Sequence, residues 1–516
     1  MKENRAIETR QADPLERQRN LYIGATISVV AMMAAVLIQK TYGWEHLVGS
    51  FLLTAMLLFI VYRDILRYQP QYLKKKRMLI LLGVLFILTL ALGRLTEFTL
   101  EGLLKGLEIE GGDAVQFAVP VAAGAMLIML LFDFHTAIIS SFVLSLLMGL
   151  WQGNATFTIY SFIGSLTAAF TIIGCKRRTA ILRSGAFIFA ANFLTVIVIM
   201  LFNGVIFTSH APVALVFALV NSILVVAIVS LTLPLFESMF KVTTNISLLE
   251  LLDLDHPLMK NLMIEAPGTY HHSIIVGNLV EACADLVGVN PLLARVGAYY
   301  HDIGKARMPD YFIENQAMGV SKHEKLTAHM SSMILISHVK EGVEMGIQHK
   351  LPEEIIDIIK EHHGDTLITY FYQKAKGELN GEDLSEDIYR YPGPKPQTRT
   401  AALIMMADAV EAASRVLHDP TPARITALVD KIINHIFLAR QLEECELTLK
   451  DISEIRNRFS YILTGIMHKR IEYPGFNFNE KDNNDQSNSK KHTAEGLPQH
   501  TGDRAGISKS SPNTWS

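Results

Sequence analysis

Eight charge-poor apolar stretches recur in the first half of the chain, near residues 22 to 39, 46 to 62, 79 to 94, 114 to 132, 135 to 151, 157 to 175, 185 to 202 and 212 to 236. Most approach the roughly 20 residues that a helix needs to cross about 30 Å of hydrocarbon. One such stretch could be a buried helix of a soluble protein; eight in succession are not explained that way. With 516 residues, 50% of them hydrophobic, and a mean hydropathy of +0.26, the chain is too long for one ordinary domain and too apolar to be wholly soluble. The expected partner of the first half is the lipid bilayer.

Orientation follows from basic loops, because Lys and Arg near the ends of spans stay on the cytoplasmic side. Arg63, Arg67, Lys74, Lys75, Lys76 and Arg77 follow the second stretch, and Lys176, Arg177, Arg178 and Arg183 follow the sixth. The loop expected after the third stretch carries Glu97, Glu101, Glu108, Glu110 and Asp113 against Lys105, which suits the outer face. Eight crossings then place both ends of the chain inside. The segment Met1 to Asn20 bears both signs of charge and no small-residue cleavage site, so it reads as a cytoplasmic lead-in before a retained span.

The second half reads differently. Residues 21–237 form the expected membrane bundle, 238–262 a linker helix containing the amphipathic run Leu248 to Asp253, 263–473 an all-α cytoplasmic domain, and 474–516 a polar, disordered tail. The fold class is therefore all-α: a polytopic helical membrane bundle followed by a helical cytoplasmic domain. Asn290-Pro291 and Leu351-Pro352-Glu353-Glu354 should open helices, and Gly304 and Gly364 should end them. Gly377 to Gln397 reads as an exposed loop. The linker run at 246 to 256 is too short for a coiled coil, though it could pair two subunits into a homodimer.

Two function classes are disfavoured early. The net charge of -3 carries no polyanion-binding signature, so nucleic acid is not an expected partner. Three scattered cysteines, Cys175, Cys283 and Cys445, imply neither a disulfide framework nor a cysteine metal site.

Chemistry concentrates between His272 and Asp408. The run His301-Asp302-Ile303-Gly304-Lys305 follows a helical stretch that can hold His301 and Asp302 against the interior. His272, His338, His362, His363 and Asp408 join them, making seven nitrogen and oxygen ligands, enough for two metals with open positions. A His-Asp pair alone proves little, as His418-Asp419 before Pro420 reads as a helix end. Imidazoles suit divalent transition metals, while a carboxylate can bridge two ions and offset their charge, a role that falls naturally to Asp302. Such a pair, about 3.5 to 4 Å apart, suits phosphate-ester hydrolysis.

These motifs, with Ala266-Pro267-Gly268-Thr269-Tyr270-His271-His272-Ser273, Glu314-Asn315-Gln316, Ser337-His338-Val339-Lys340, Glu361-His362-His363-Gly364 and Ala407-Asp408-Ala409-Val410-Glu411-Ala412, resemble the HD-domain phosphohydrolases. More closely, residues 46 to 470 or so resemble the PgpH-type membrane phosphodiesterases of bacteria that cleave cyclic di-AMP. The resemblance implies two divalent ions, manganese or iron. His272, His301, Asp302 and Asp408 would hold one, and Asp302, His338, His362 and His363 the other. It favours His272 over His271 as ligand and leaves His323 and His329 as surface or structural residues. It also implies a multi-pass protein of the bacterial plasma membrane that opens cyclic di-AMP to pApA. Asp302 and Lys305 are the expected catalytic residues. Arg399 and Arg415 could contact substrate phosphate, though these two and Lys305 could equally be structural ion-pair residues.

One departure qualifies that expectation. Family members commonly carry a large extracellular domain after the first span, where this chain has only Thr41-Tyr42-Gly43-Trp44-Glu45 or so. The other readings are an HD phosphohydrolase of another nucleotide, such as cyclic di-GMP or a guanosine polyphosphate, and a catalytically silent membrane receptor. Completeness of the ligand set speaks against the last.

Overall fold

The computed structural model describes residues 14–39, 43–108, 112–175, 177–208, 210–316, 321–378 and 384–467. The expected tail and Lys176 lie outside these residues. Helices follow one another throughout: α1 (Pro14–Ile38), α2 (Trp44–Tyr68), α3 (Pro70–Lys74), α4 (Lys76–Gly106), α5 (Val121–Leu131), α6 (Phe134–Gln152), α7 (Ala155–Thr171), α8 (Thr179–Phe202) and α9 (His210–Phe240) form the bundle. Then come α10 (Asn245–Leu251), α11 (Pro257–Glu265), α12 (Pro267–Ala284), α13 (Pro291–Tyr300), α14 (Ala328–Gln348), α15 (Glu353–Glu361), α16 (Thr369–Glu378), α17 (Arg399–Ser414), α18 (Pro422–Leu438) and α19 (Leu449–Ile466). Among the described residues the one β-type pairing is the isolated bridge between Leu367 and Arg390.

Among the described residues, seven segments are long and apolar enough to cross a bilayer, and α7, at 17 residues, is the shorter eighth. Their outward residues, such as Leu52, Phe59, Leu194 and Leu231, are exposed. That suits a surface facing lipid as apolar as leucine, where packing and polar contacts between helices supply the cohesion. The charged lead-in is partly helical, since α1 starts at Pro14, and Glu97, Glu101 and Lys105 ride on the 31-residue α4 instead of a loop.

The fourth stretch is not one helix. A 3-10 turn over Gly112–Ala118 gives way to α5 across Val119 and Pro120, because proline lacks an N–H and disfavours helical geometry in the residue before it. Backbone carbonyls freed in an apolar interior need partners. The Tyr160 hydroxyl donates to the Phe117 carbonyl at 2.6 Å, and Asn221 Nδ2 donates to the Val119 carbonyl at 2.7 Å.

The linker is broken where a single helix was expected. Helix α9 continues to Phe240, and Thr244 and Ser247 then form a capping box that starts the seven-residue α10. Ion pairs tie this region to the basic loops: Arg178 grips Glu250 through two nitrogens at 2.9 and 3.3 Å, Arg77 meets Glu353 at 2.6 Å, and Lys75 meets Glu354 at 3.6 Å. Being half-exposed, each contributes ~0–1 kcal/mol. The last two hold the start of α15 against the bundle, one helix length from His362 and His363.

Candidate metal centre

Each expected ligand is delivered by a helix end or a buried helix face. The Asn290 side chain accepts from the Leu292 and Leu293 amides and Pro291 takes the first turn, as the sequence predicts, so α13 runs to Tyr300 and releases His301 and Asp302 at its C-terminus. Helix α15 likewise ends at Glu361 and releases His362 and His363. His272 lies on α12, His338 on α14 and Asp408 on α17, all buried. Gly364 follows α15 in left-handed conformation, φ +55°. Gly304 serves a different purpose from the expected helix end: a Cβ there would lie 1.9 Å from the His338 carbonyl oxygen, so only glycine lets the turn after Asp302 press on α14.

Two groups of ligand atoms result, each with all members within 4.8 Å of one another: Asp302, His338, His362 and His363, and His272, His301, Asp302 and Asp408. Asp302 Oδ1 lies 3.3 Å from His338 Nε2 and 3.6 Å from His362 Nε2, while Oδ2 lies 3.2 Å from His301 Nε2 and 3.6 Å from His272 Nε2. Asp408 Oδ1 is 3.0 Å from His272 Nε2.

The outward nitrogens are committed. His301, His338 and His362 donate Nδ1–H to the carbonyls of Ala298, Leu335 and Ile359 at 2.7, 2.5 and 2.8 Å, and His272 donates Nδ1–H to Glu411 Oε2 at 2.5 Å. These bonds turn Nε2 of each ring inward, where it can offer a lone pair to a metal. His338 Nε2 and His362 Nε2 consequently face each other at 3.3 Å. Buried Nε2 of His272 and His301 and both Asp302 oxygens lack a directed hydrogen bond, although Lys305 Nζ is 2.7 Å from Oδ2. Facing lone pairs and orphaned acceptors in a buried site are unfavourable without a cation. The residues present therefore fit a divalent metal.

Electrostatics agree. Burial would raise the Asp302 and Asp408 carboxyls, yet the surrounding imidazoles, with Lys305 beside Asp302, hold both well below the usual carboxylate range. Burial would lower His301, but Asp302 and Asp408 outweigh it and take it up to about 10; Asp408 and Glu411 likewise raise His272. Burial and neighbouring imidazoles push His363 well down, and burial lowers His362. Lys305, clasped between Asp302 and Glu314 Oε1 at 3.0 Å, is raised in spite of its burial.

All seven expected ligands and Lys305 come together. His271 is exposed, His323 bonds the Tyr311 carbonyl at 2.8 Å, His329 is exposed beside Tyr389, and His418 and Asp419 form the exposed turn after α17. Neither arginine faces the ligands directly. Arg415 binds Glu411 Oε1 at 2.7 Å, behind His272. Arg399 opens α17, about 14 Å along the axis from Asp408, and donates to the Val287 carbonyl at 3.0 Å.

Four contributors escaped the sequence reading although their motifs were in view. Glu411 orients His272. Glu314 and Asn315 tie Lys305 to the start of α12, where Asn315 Oδ1 accepts from the Thr269 amide at 3.0 Å. Tyr391, expected on an exposed loop, is half-buried, and its ring lies 4.2 Å from that of His363.

Fold and site together define a multi-pass membrane protein joined to an all-α, HD-type domain whose buried histidine and aspartate cluster fits a divalent metal. The family described as 7TM receptor with intracellular HD hydrolase matches residues 44–244, and the HD domain family matches residues 269–413. Two curated relatives are each 40% identical over 372 residues: the cyclic-di-AMP phosphodiesterases PgpH of Bacillus subtilis (strain 168) and Listeria monocytogenes serotype 1/2a (strain 10403S). The alignments cover 70% and 71% of this chain and 52% of each relative, so the chain spans about half their length. The crystallised HD domain of L. monocytogenes PgpH, in complex with cyclic di-AMP, is 50% identical and is matched over all of its chain and 42% of this one, with a TM-score of 0.40. The chain belongs to this family of membrane-spanning HD hydrolases.

Proposed function

We propose that the chain is a membrane-anchored phosphodiesterase that hydrolyses cyclic di-AMP to the linear dinucleotide pApA, using two divalent ions, manganese or iron, in an HD domain on the cytoplasmic side. The observation that carries this reading is Asp302, whose two oxygens each face a separate pair of imidazoles. Two ions, when bound, would supply Lewis acidity towards phosphoryl oxygens and acidify water. The ligand set divides as His272, His301, Asp302 and Asp408 for one, and Asp302, His338, His362 and His363 for the other. That mixture of imidazole and carboxylate suits manganese and iron alike.

The protein's own groups do the rest. Lys305 keeps a buried positive charge against Asp302, and Glu314 holds the ammonium in place. Asp302 keeps its negative charge at neutral pH because of the cations around it. Cyclic di-AMP is favoured by the relatives, which bear that substrate in their names at 40% identity. The cytoplasmic side is favoured because Arg77 and Arg178, which should stay inside, pair with Glu353 and Glu250 at the entrance to the HD domain.

Substrate profiling of the full chain in detergent tests the reading. Conversion of cyclic di-AMP in preference to cyclic di-GMP and guanosine tetraphosphate is expected. Preference for another nucleotide would replace the substrate, and tight binding without turnover under either metal would make the protein a receptor.

A further inference from the structure

Among the described residues, four of the five histidines in the cluster are held from behind by a hydrogen bond, and His363 is not. Its nearest carboxylate oxygen, Asp408 Oδ2, is 3.9 Å from Nδ1, beyond hydrogen-bonding reach. It is also the most exposed of the cluster's imidazoles, at 22% of its side chain. What its ring does have is two close ring neighbours: His362, tilted at 4.1 Å and 42°, and Tyr391, stacked at 4.2 Å and 28°.

Tyr391 is itself rigidly placed. Its amide donates to the Thr366 carbonyl at 3.0 Å, and the Ile368 amide donates to the Tyr389 carbonyl at 2.8 Å. Arg390 Nη1 donates to the Asp365 carbonyl at 3.2 Å, and the Gln397 amide to Glu361 Oε2 at 2.9 Å. Four hydrogen bonds thus lace residues 389 to 397 onto the segment that carries His362 and His363. The Tyr391 ring also meets His338 edge-on at 6.0 Å.

We propose that Tyr391 is the positioning residue for His363, fixing by ring stacking the one cluster imidazole that no hydrogen bond fixes. Outer partners of metal-binding histidines set ring orientation, and their loss typically lowers metal affinity about 10- to 100-fold. An offset aromatic stack can restrain a ring in the same way, since sliding or tilting forfeits contact with the neighbour's face. The hydroxyl of Tyr391 makes no hydrogen bond to the described protein, so the ring is the part that matters.

The proposal rests on the two-ion reading above, and stepwise manganese titration of the full chain in detergent separates the two. Wild type and Tyr391→Phe should bind manganese alike, while Tyr391→Leu should weaken one ion about 10- to 100-fold, leave the other unchanged, and lose the exchange-coupled manganese signal in electron paramagnetic resonance. His363→Ala marks the full loss of that ligand, and retained circular dichroism shows that Tyr391→Leu is folded. Equal affinities for Tyr391→Leu and wild type would overturn the positioning role whether wild type binds one ion or two. A Phe variant as impaired as the Leu variant would overturn it as well. One ion in wild type would instead defeat the two-ion reading.

Discussion

Asp302 and His338 meet across the turn that Gly304 makes possible: Asp302 Oδ1 is 3.3 Å from His338 Nε2, while the His338 carbonyl presses against the Gly304 Cα. His338 thus meets Asp302 through its ring and Gly304 through its backbone, and the two contacts together fix the turn after α13 against α14.

Gly304→Ala should therefore be costly. Its Cβ would sit 1.9 Å from a backbone oxygen that cannot rotate away, and displacement of the turn should destabilise the domain by ~3 kcal/mol or more. Gly465→Ala, in open space on α19, should instead be neutral or stabilising by up to ~1 kcal/mol. Thermal unfolding of both variants in detergent checks the contrast.

Glu411→Ala should lower affinity for one ion about 10- to 100-fold, because His272 loses the carboxylate that holds its Nδ1–H. Arg415→Ala, one step further out, should cost less than Glu411→Ala, since Glu411 keeps its histidine. Arg399→Ala should leave metal content unchanged while destabilising the helix junction by ~1 kcal/mol through its lost bond to Val287. Metal analysis and melting curves for the three variants rank these roles.

Opposed titrations shape the pH profile of the metal-free protein. His272 and His301 retain protons that the unfolded chain gives up above pH ~6.5, so their stabilisation is complete below that and is lost as pH rises further, for His301 towards about 10. His362 and His363, lowered by burial and by imidazole neighbours, resist protons that the unfolded chain accepts, so their contribution is lost as pH falls below ~6.5. Melting temperature after chelation should peak around pH 6 to 7. A steady rise to pH 9 would contradict these shifts.

Metal loading should release protons. His301 is protonated near neutrality without metal and must be neutral to ligate. Adding manganese to stripped protein in weak buffer at pH 7 should acidify the solution, and metal affinity should increase with pH.

How much of this was legible in the sequence differs by kind of interaction. Spans and ligands could be read because hydropathy over about 20 residues and histidine chemistry are local properties. The break before α5 was written in Pro120, but the polar partners that make it tolerable, Tyr160 and Asn221, lie 43 and 102 residues away from the carbonyls they satisfy. Glu411 and Glu314 sat inside recognised motifs, yet their roles depend on contacts 139 and 45 residues distant. Tyr391 was hidden by its surroundings of glycine and prolines, which signal a loop without saying that the loop folds back over the site.

Hydrolysis of cyclic di-AMP by the full chain in detergent with manganese, beside Asp302→Ala and with bound metal measured on both, tests the central claim most directly. Conversion to pApA by wild type with two ions bound, and loss of both ions and of activity in the variant, is the predicted result. Full activity in Asp302→Ala, or wild type that holds metal yet does not cleave, would contradict it.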